Sequence, residues 1–124
     1  MTWQVIFEKD FDSEFRALPR DVQSGIVAGA RLLRGSGPKA GRPNVDTLKG
    51  SAFPNMKELR FRAANGAWRV AFAFDPARRA VLLVAADKAG VPERRFYREL
   101  LATADRRFSR YLERLAGSGE KRRR

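Results

Sequence analysis

Charged residues that alternate along two neighbouring predicted strands are the part of the sequence best suited to chemistry. Glu58, Arg60 and Arg62 fall at every second position of Met56–Arg62, so a strand there carries all three on one face. Arg69 faces the same way on the next strand. Guanidinium groups match the geometry of a phosphate, and a nearby carboxylate can orient an arginine or accept a proton. The pattern predicts a phosphate-binding surface, although a solvated sheet face, with Glu58 merely paired to an arginine, fits it too.

Small residues lie on the same predicted face as these charges. Ala71 and Ala73 share the face of Arg69, whereas Trp68 falls on the opposite, apolar face and is predicted to belong to the core. Small side chains leave room above them, so the sequence predicts a shallow groove with a charged floor. Lys88 follows the next apolar strand, and we expect it to reach the rim of this groove.

The composition narrows the possible chemistry. The chain has no histidine and no cysteine, which excludes Ser-His-Asp triads, cysteine nucleophiles and thiolate metal sites. Catalysis would have to use carboxylates, lysine, arginine, tyrosine or the backbone. The acidic residues are scattered among more numerous basic ones, so neither a metal site nor a cofactor is predicted.

A large positive charge points to a polyanionic partner. The net charge of the 124 residues is +12, which favours nucleic acid first and then ribosomes, acidic proteins or an anionic membrane surface. Basic side chains outside the central cluster could contact RNA phosphates, or could belong to ordinary solvated segments: Lys39, Arg42, Lys49, Lys57 and Arg62. No apolar run reaches membrane-spanning length, and the alternating N-terminus does not resemble a signal peptide, so we expect a cytoplasmic protein with no membrane partner.

The hydrophobic periodicity predicts an α+β domain. One strand and two helices come first, then a mostly antiparallel sheet, then a long C-terminal helix. Residues 1–116 are predicted to form a single domain, and residues 117–124 a basic, disordered tail. The predicted elements are a strand at Trp3–Glu8, helices around Phe11–Leu18 and Pro19–Leu33, strands at Val45–Lys49, Met56–Arg62, Ala67–Asp75 and the doubly apolar Ala80–Ala86, and a helix from Pro92 to Leu115.

Several short motifs, taken in order, resemble the RelE superfamily of toxins, and most of all its HigB and phage-derived host-killer branch. The resemblance covers about Trp3 to Leu115 and implies a RelE-like fold. Each motif is short, and the order and spacing make the likeness specific. The motifs are Leu48-Lys49-Gly50, Met56-Lys57-Glu58-Leu59-Arg60, the Asn65-Gly66 turn, Trp68-Arg69-Val70, the apolar run Val81–Val84, and Asp87-Lys88.

The resemblance implies a toxin that cleaves mRNA, commonly in the ribosomal A site, by attack of the ribose 2′-OH on the adjacent phosphate without a metal. It also implies an antitoxin encoded beside it, often a helix-turn-helix protein. By position, Arg69 corresponds to the phosphate-stabilising arginine, Arg60 and Glu58 to charged active-site residues, and Lys88 to a basic residue after the last strand. Tyr97 lies near a functional tyrosine of some members.

Two departures from the family pattern leave the proton-transfer groups open. Related sequences often carry two lysines after the last strand, where this chain has Lys88 followed by Ala89, and some use a C-terminal histidine that is missing here. Glu58 is the first candidate for the general base, and Lys88 is the second if neighbouring cations favour its neutral form. Tyr97 could act as an acid, stack on a base or only pack the helix. A non-catalytic module that binds RNA or protein is the alternative function.

Overall fold

The order of elements in the structure, a computed structural model, is the one predicted. It describes the backbone of residues 2–122 and the side chains as far as Gly117. The boundaries differ from the predicted ones by a few residues at most, except at the C-terminus. The elements are β1 (Gln4–Phe7), α1 (Lys9–Arg16), α2 (Arg20–Ser36), a 3-10 turn (Gly37–Lys39), β2 (Val45–Thr47), β3 (Lys57–Ala63), β4 (Gly66–Phe74), β5 (Arg79–Asp87) and α3 (Glu93–Arg122).

The five strands form one mostly antiparallel sheet in the order β1-β5-β4-β3-β2. Only the pairing of β1 with β5 is parallel, which the helical crossover through α1 and α2 allows. Strand β5 has a neighbour on each side and core on both faces, as its apolar run predicted. The sequence prediction of an α+β domain with a mostly antiparallel sheet is confirmed.

Helices α1 and α2 cover one face of the sheet. The core between them includes Ile26 of α2, Leu59 of β3 and Phe72 of β4, all buried. Trp68 packs against this core, so its predicted place on the apolar face is confirmed. Alternation along β3 and β4 is therefore sufficient to assign this face.

The other face of the sheet is mostly covered by α3, which corrects the predicted groove. Ala71 and Ala73 are fully buried beneath apolar residues of α3 such as Leu100 and Ala104. Their small side chains let the helix backbone come close to the sheet, so the room they leave is filled by a helix and not by a ligand. Only the end of this face that carries the charged residues lies beyond the helix.

Polar contacts fix α3 on the sheet. The buried guanidinium of Arg107 donates to the Glu14 carboxylate and to the Leu83 carbonyl, both at 2.8 Å. Further along the helix, the Tyr111 hydroxyl donates to Asp75 at 2.6 Å. Burial, together with the neighbouring Asp75 carboxylate, raises the pKa of Tyr111 to about 12. These contacts hold the middle of α3 against α1 and the sheet.

The C-terminal boundary differs from the prediction. Helix α3 continues to Arg122, past Ala116, where the sequence predicted the domain to end and a disordered tail to begin. Gly117 and Gly119 lower helix propensity, which suggested an end, but extending a formed helix is far easier than starting one. Arg123 and Arg124 lie outside the described residues. No helix in residues 2–122 combines the length and the hydropathy of a membrane span.

Candidate active site

The register of β3 against β4 brings the predicted charged residues together. Arg60 and Arg69 lie directly opposite each other, and Glu58 lies opposite Ala71. Two like charges at opposed positions destabilise a sheet unless an anion intervenes. The Glu58 carboxylate supplies it, since its two oxygens lie 3.8 Å from Arg60 Nε and 3.7 Å from Arg69 Nε. The predicted grouping of these three residues is therefore observed.

Tyr97 joins this cluster from the second turn of α3. Its hydroxyl donates to Glu58 Oε1 at 2.9 Å and lies 3.4 Å from Arg69 Nε, which donates to it. The ring also packs edge-on against Phe96. Tyr97 thus has a packing role and a polar contact with two of the predicted site residues.

Burial makes the Glu58 carboxyl unusual. The residue is only 5% exposed, although it stands at the open end of the face. Burial raises the pKa of Glu58 above its ordinary value, and the Tyr97 hydroxyl and the two arginines oppose that rise. Burial also raises the pKa of Tyr97. A carboxylate with raised proton affinity, held between two guanidinium groups, can accept a proton close to a bound phosphate.

Lys88 lies at the rim of the site, as predicted. Its Nζ is 5.7 Å from the centre of the Tyr97 ring and 2.7 Å from Glu93 Oε1. Asp87 fixes the turn, because its Oδ1 accepts hydrogen bonds from the backbone amides of Ala67 and Ala89. The ammonium of Lys88 is therefore paired with an anion at the rim of the site.

Two acidic residues of the site were missed by sequence reasoning. Asp46 of β2 lies opposite Glu58, accepts from Arg42 Nε at 3.2 Å, and has Arg60 within 3.9 Å. A backbone hydrogen bond from Thr47 and the arginines lower the pKa of Asp46. Glu93 is held by Lys88, whose hydrogen bond lowers the pKa of that exposed carboxyl. The sequence offered one indication for Glu93, an acidic residue at the start of a predicted helix. It offered none for Asp46, because the local pattern does not show how β2 aligns with β3.

A cavity of about 420 Å³ adjoins the cluster. It is bounded by the β2–β3 loop, by the first turns of α3 and by the Glu58 side chain. The loop is held to α3 by Asp105, which accepts hydrogen bonds from the Ser51 hydroxyl and the Ala52 amide. The cavity therefore has cations on two sides and the buried carboxylate at one end. Its lining residues are Thr47, Leu48, Lys49, Glu58, Glu93, Arg94 and Tyr97.

The predicted RNA-binding residues divide into two groups. Arg42 contacts Asp46, and Lys49 lines the cavity, so both adjoin the cluster. Lys57 lies on the opposite face of β3 from Glu58, with its Nζ 3.5 Å from Thr47 Oγ1. Arg62 is exposed at the end of β3 and has no direct contact with Glu58 among the described side chains.

Lys39 is remote from the cluster. It shares a cavity with Trp3, whose ring packs 5.0 Å from that of Phe74. Phe74 lies about 16 Å along β4 from Arg69 at the usual rise of a strand. Any contact of Lys39 with a polyanion would therefore fall at the other end of the sheet.

The fold and the site together define the class of the protein. The fold is RelE-like: a solved structure of an Escherichia coli RelE toxin mutant in the free state superimposes with a TM-score of 0.63, at 15% identity, covering 86% of this chain and 98% of that one. On this fold, the open end of the sheet carries a basic cluster built around one buried carboxylate.

Sequence comparison is more specific. Residues 13–109 match the family described as Phage derived protein Gp49-like (DUF891), and the chain belongs to that family. It is 42% identical to the Mycobacterium tuberculosis protein named "Putative toxin HigB3" over 93% of this chain and 98% of that protein. It is 39% identical to "Putative toxin HigB2" of the same organism, over 86% of this chain and 53% of that protein. The predicted likeness to HigB and phage-derived toxins is confirmed by these matches, and the predicted RelE-like fold is confirmed by the superposition.

Proposed function

We propose that this toxin is an endoribonuclease that cuts mRNA, with the ribosome as the place of action, by attack of a ribose 2′-OH on the adjacent phosphate without a metal ion. The observation that carries the proposal is the position of Glu58, buried between Arg60 and Arg69 with the Tyr97 hydroxyl on one of its oxygens. This arrangement places a proton acceptor beside two groups that can hold a phosphate. The 2′-OH nucleophile would restrict the reaction to RNA.

Glu58 is the proposed general base. It takes the proton of the 2′-OH as the 2′-oxygen forms a bond to phosphorus and the bond from phosphorus to the 5′-oxygen breaks. The products are a 2′,3′-cyclic phosphate and a free 5′-hydroxyl. Negative charge gathers on the non-bridging oxygens, and Arg60 and Arg69 stabilise it. Because Arg60 is a third exposed and Arg69 only 11% exposed, the phosphate would meet Arg60 first.

Lys88 is the proposed source of the proton for the 5′-oxygen. Its ammonium stands at the rim beside Tyr97 and can reach outward if it leaves Glu93, which is itself 69% exposed. Tyr97 positions Glu58 and, through its hydroxyl, Arg69. In this scheme Tyr97 is a positioning residue.

RNA and an antitoxin are the proposed partners. The net charge of +12 supports binding through phosphates, and Arg42 at Asp46 and Lys49 in the cavity lining extend the basic surface. RNA affinity should therefore fall steeply as salt is added. The antitoxin would be a small protein encoded beside this one, often of helix-turn-helix type, that blocks the site. A protein acting on mRNA at the ribosome would work in the cytoplasm.

Arg69→Ala tests the proposed site. Removing one preorganised donor to a developing oxyanion lowers the rate by about 100- to 1000-fold. Arg69→Lys should recover little activity, because an ammonium cannot reproduce the planar fork. The measurement is cleavage of translated mRNA by purified protein, with circular dichroism to verify folding. Arg106→Ala, which removes an exposed arginine of α3, is the matched control and should cleave normally.

The outcome separates the proposal from a binding module. Full activity in folded Arg69→Ala would refute the assignment of the site. A wild-type protein that binds RNA in a salt-dependent way but neither cleaves it nor stops growth when expressed would instead be a non-catalytic RNA- or protein-binding module.

A further inference from the structure

The outer edge of β3 is only partly covered. Strand β2 pairs with Lys57–Leu59, and the amide of Arg60 donates to the Asn44 carbonyl at 2.8 Å, but β3 continues to Ala63. No other strand among the described residues lies on that side of β3. Arg62 has the same parity as Arg60, so its N–H and C=O also point away from β4. An unpaired edge of this kind can accept an additional strand.

A groove runs between this edge and α2. Its volume is about 350 Å³, and the α2 side is built from small residues, Gly25, Ala28 and Gly29, with Leu32 at one end. Leu32 is 36% exposed and the nearby Val27 is 39% exposed; among the described side chains they are the large apolar residues that stand open to solvent. The groove and its border are therefore apolar on the helix side.

The two faces of the open edge differ in charge. The side chains of Arg60 and Arg62 leave β3 on the face away from α2, because residues of one parity share a face. Both residues also line the groove where it meets the strand edge. A strand added at the edge would direct alternate side chains to these arginines and to the apolar groove. Its fitting sequence would alternate acidic and apolar residues. RNA fits poorly, since it cannot form a strand ladder and the groove offers it apolar surface.

We propose that the antitoxin binds here, by adding an extended segment of alternating acidic and apolar residues to the β3 edge from Phe61 to Ala63 and placing its apolar side chains against α2. The inference takes the antitoxin from the proposed function and assigns its docking surface. It also gives a route to neutralisation. Acidic side chains beside Arg60 would compete with an RNA phosphate for a guanidinium that the site needs.

Ala28→Lys tests the docking surface. Ala28 is an exposed position of α2 that lines the groove. Lysine is a good helix former, so the helix should tolerate it. The lysine side chain would occupy the groove and place a charge beside its apolar surface. Ala102→Lys on α3 is the matched control, with the same substitution at an exposed helical alanine. The probe is the purified product of the gene adjacent to this one, titrated calorimetrically against each variant. Ala28→Lys should weaken binding by about tenfold or more, and Ala102→Lys should leave it unchanged.

Amide hydrogen exchange of the wild-type complex gives a second measurement that does not depend on a variant. The Arg62 amide should become protected on binding, because a new strand would accept its hydrogen bond. Equal binding by Ala28→Lys, or an unprotected Arg62 amide in the complex, would overturn the proposal. Protection of α2 amides without protection of the Arg62 amide would indicate that a partner helix, not a strand, lies in the groove. Protection that rises with the concentration of this protein alone would indicate that a second copy of it binds there. Either result would contradict the proposal. RNA cleavage is scored separately, so failure to cleave would count against the proposed activity and leave the binding result intact.

Discussion

Replacing Tyr97 with phenylalanine would test the hydrogen bond at the centre of the site. The hydroxyl donates to Glu58 Oε1 at 2.9 Å and so stabilises the charged form of that carboxyl. Without it, the pKa of Glu58, already raised by burial, should rise further. A hydrogen bond to a charged group contributes about 1.5–3 kcal/mol, so the charged form of Glu58 should lose about that much stabilisation. Arg69, only 3.7 Å from Glu58, can move closer and offset part of the loss, which favours the lower end of that range.

Two measurements on the same protein check this value. NMR titration of the glutamate side-chain carboxyl carbons follows Glu58 directly in the wild type and in Tyr97→Phe. The pH profile of RNA cleavage should show the same displacement, because a general base works only when it is deprotonated and activity therefore rises as pH passes its pKa. The acidic limb of the profile should move to higher pH in the variant. Tyr111→Phe, which removes a hydroxyl from a different carboxylate, Asp75, is the control and should leave Glu58 unchanged.

The two measurements can fail in different ways. An unchanged or lowered pKa of Glu58 in Tyr97→Phe would refute the assigned hydrogen bond. A raised pKa with an unmoved acidic limb would show that Glu58 is not the base. A lower plateau at high pH, with the limb displaced as expected, would show that the hydroxyl also contributes to the reaction itself.

Three further predictions concern stability. Gly25→Ala should destabilise the fold by about 1–2 kcal/mol in urea unfolding, because a Cβ there would lie 2.4 Å from the Phe61 ring. Gly35→Ala has open space around it and should stabilise α2 by up to about 1 kcal/mol. Equal effects of the two substitutions would contradict this prediction. Arg107→Ala should lower the free energy of unfolding by about 2–3 kcal/mol, since it breaks the ion pair with Glu14 and leaves the buried Leu83 carbonyl without its donor. A loss below about 0.5 kcal/mol, the size expected of a surface ion pair, would show that the contact is not formed. The pKa of Tyr111 is about 12 in the folded state and about 10 in the unfolded state, so the protonated hydroxyl stabilises the fold. This contribution to the free energy of unfolding should be lost as pH rises from about 10 to about 12. Alkaline unfolding curves of Tyr111→Phe should lack that loss.

Strand alternation explains how much of the site could be predicted. Glu58, Arg60 and Arg69 needed only the period of two and a tight turn between the two strands. The turn lies at Ala64-Asn65, where both φ values are positive, one residue before the predicted Asn65-Gly66 pair. Tyr97 was named from the resemblance, since nothing local indicates how a helix residue lies relative to a strand. The longer helices and strands were found because each has a hydrophobic period or, in β5, an unbroken apolar run; the 3-10 turn at Gly37–Lys39 has neither and was not predicted.

The missed residues depend on long-range geometry. Asp46 reaches Arg60 because β2 aligns with β3 across an irregular loop, and no local pattern sets that register. Glu93 reaches Lys88 because the chain turns at Gly90, where φ is +77°. The covering of Ala71 by α3 was missed for a related reason: an alanine stripe fits an open groove and a close helix equally well, and only the packing of the whole chain decides between them.

The face of β4 toward α3 shows why the site lies where it does. Its residues run from Arg69 through small alanines to Asp75, and α3 spans the same distance, from Tyr97, which bonds Glu58 and Arg69, to Tyr111, which bonds Asp75. The two stretches are each about 20 Å long, at 1.5 Å per residue in the helix and 3.3 Å in the strand. The helix that buries the second core therefore also sets the position of the Tyr97 hydroxyl.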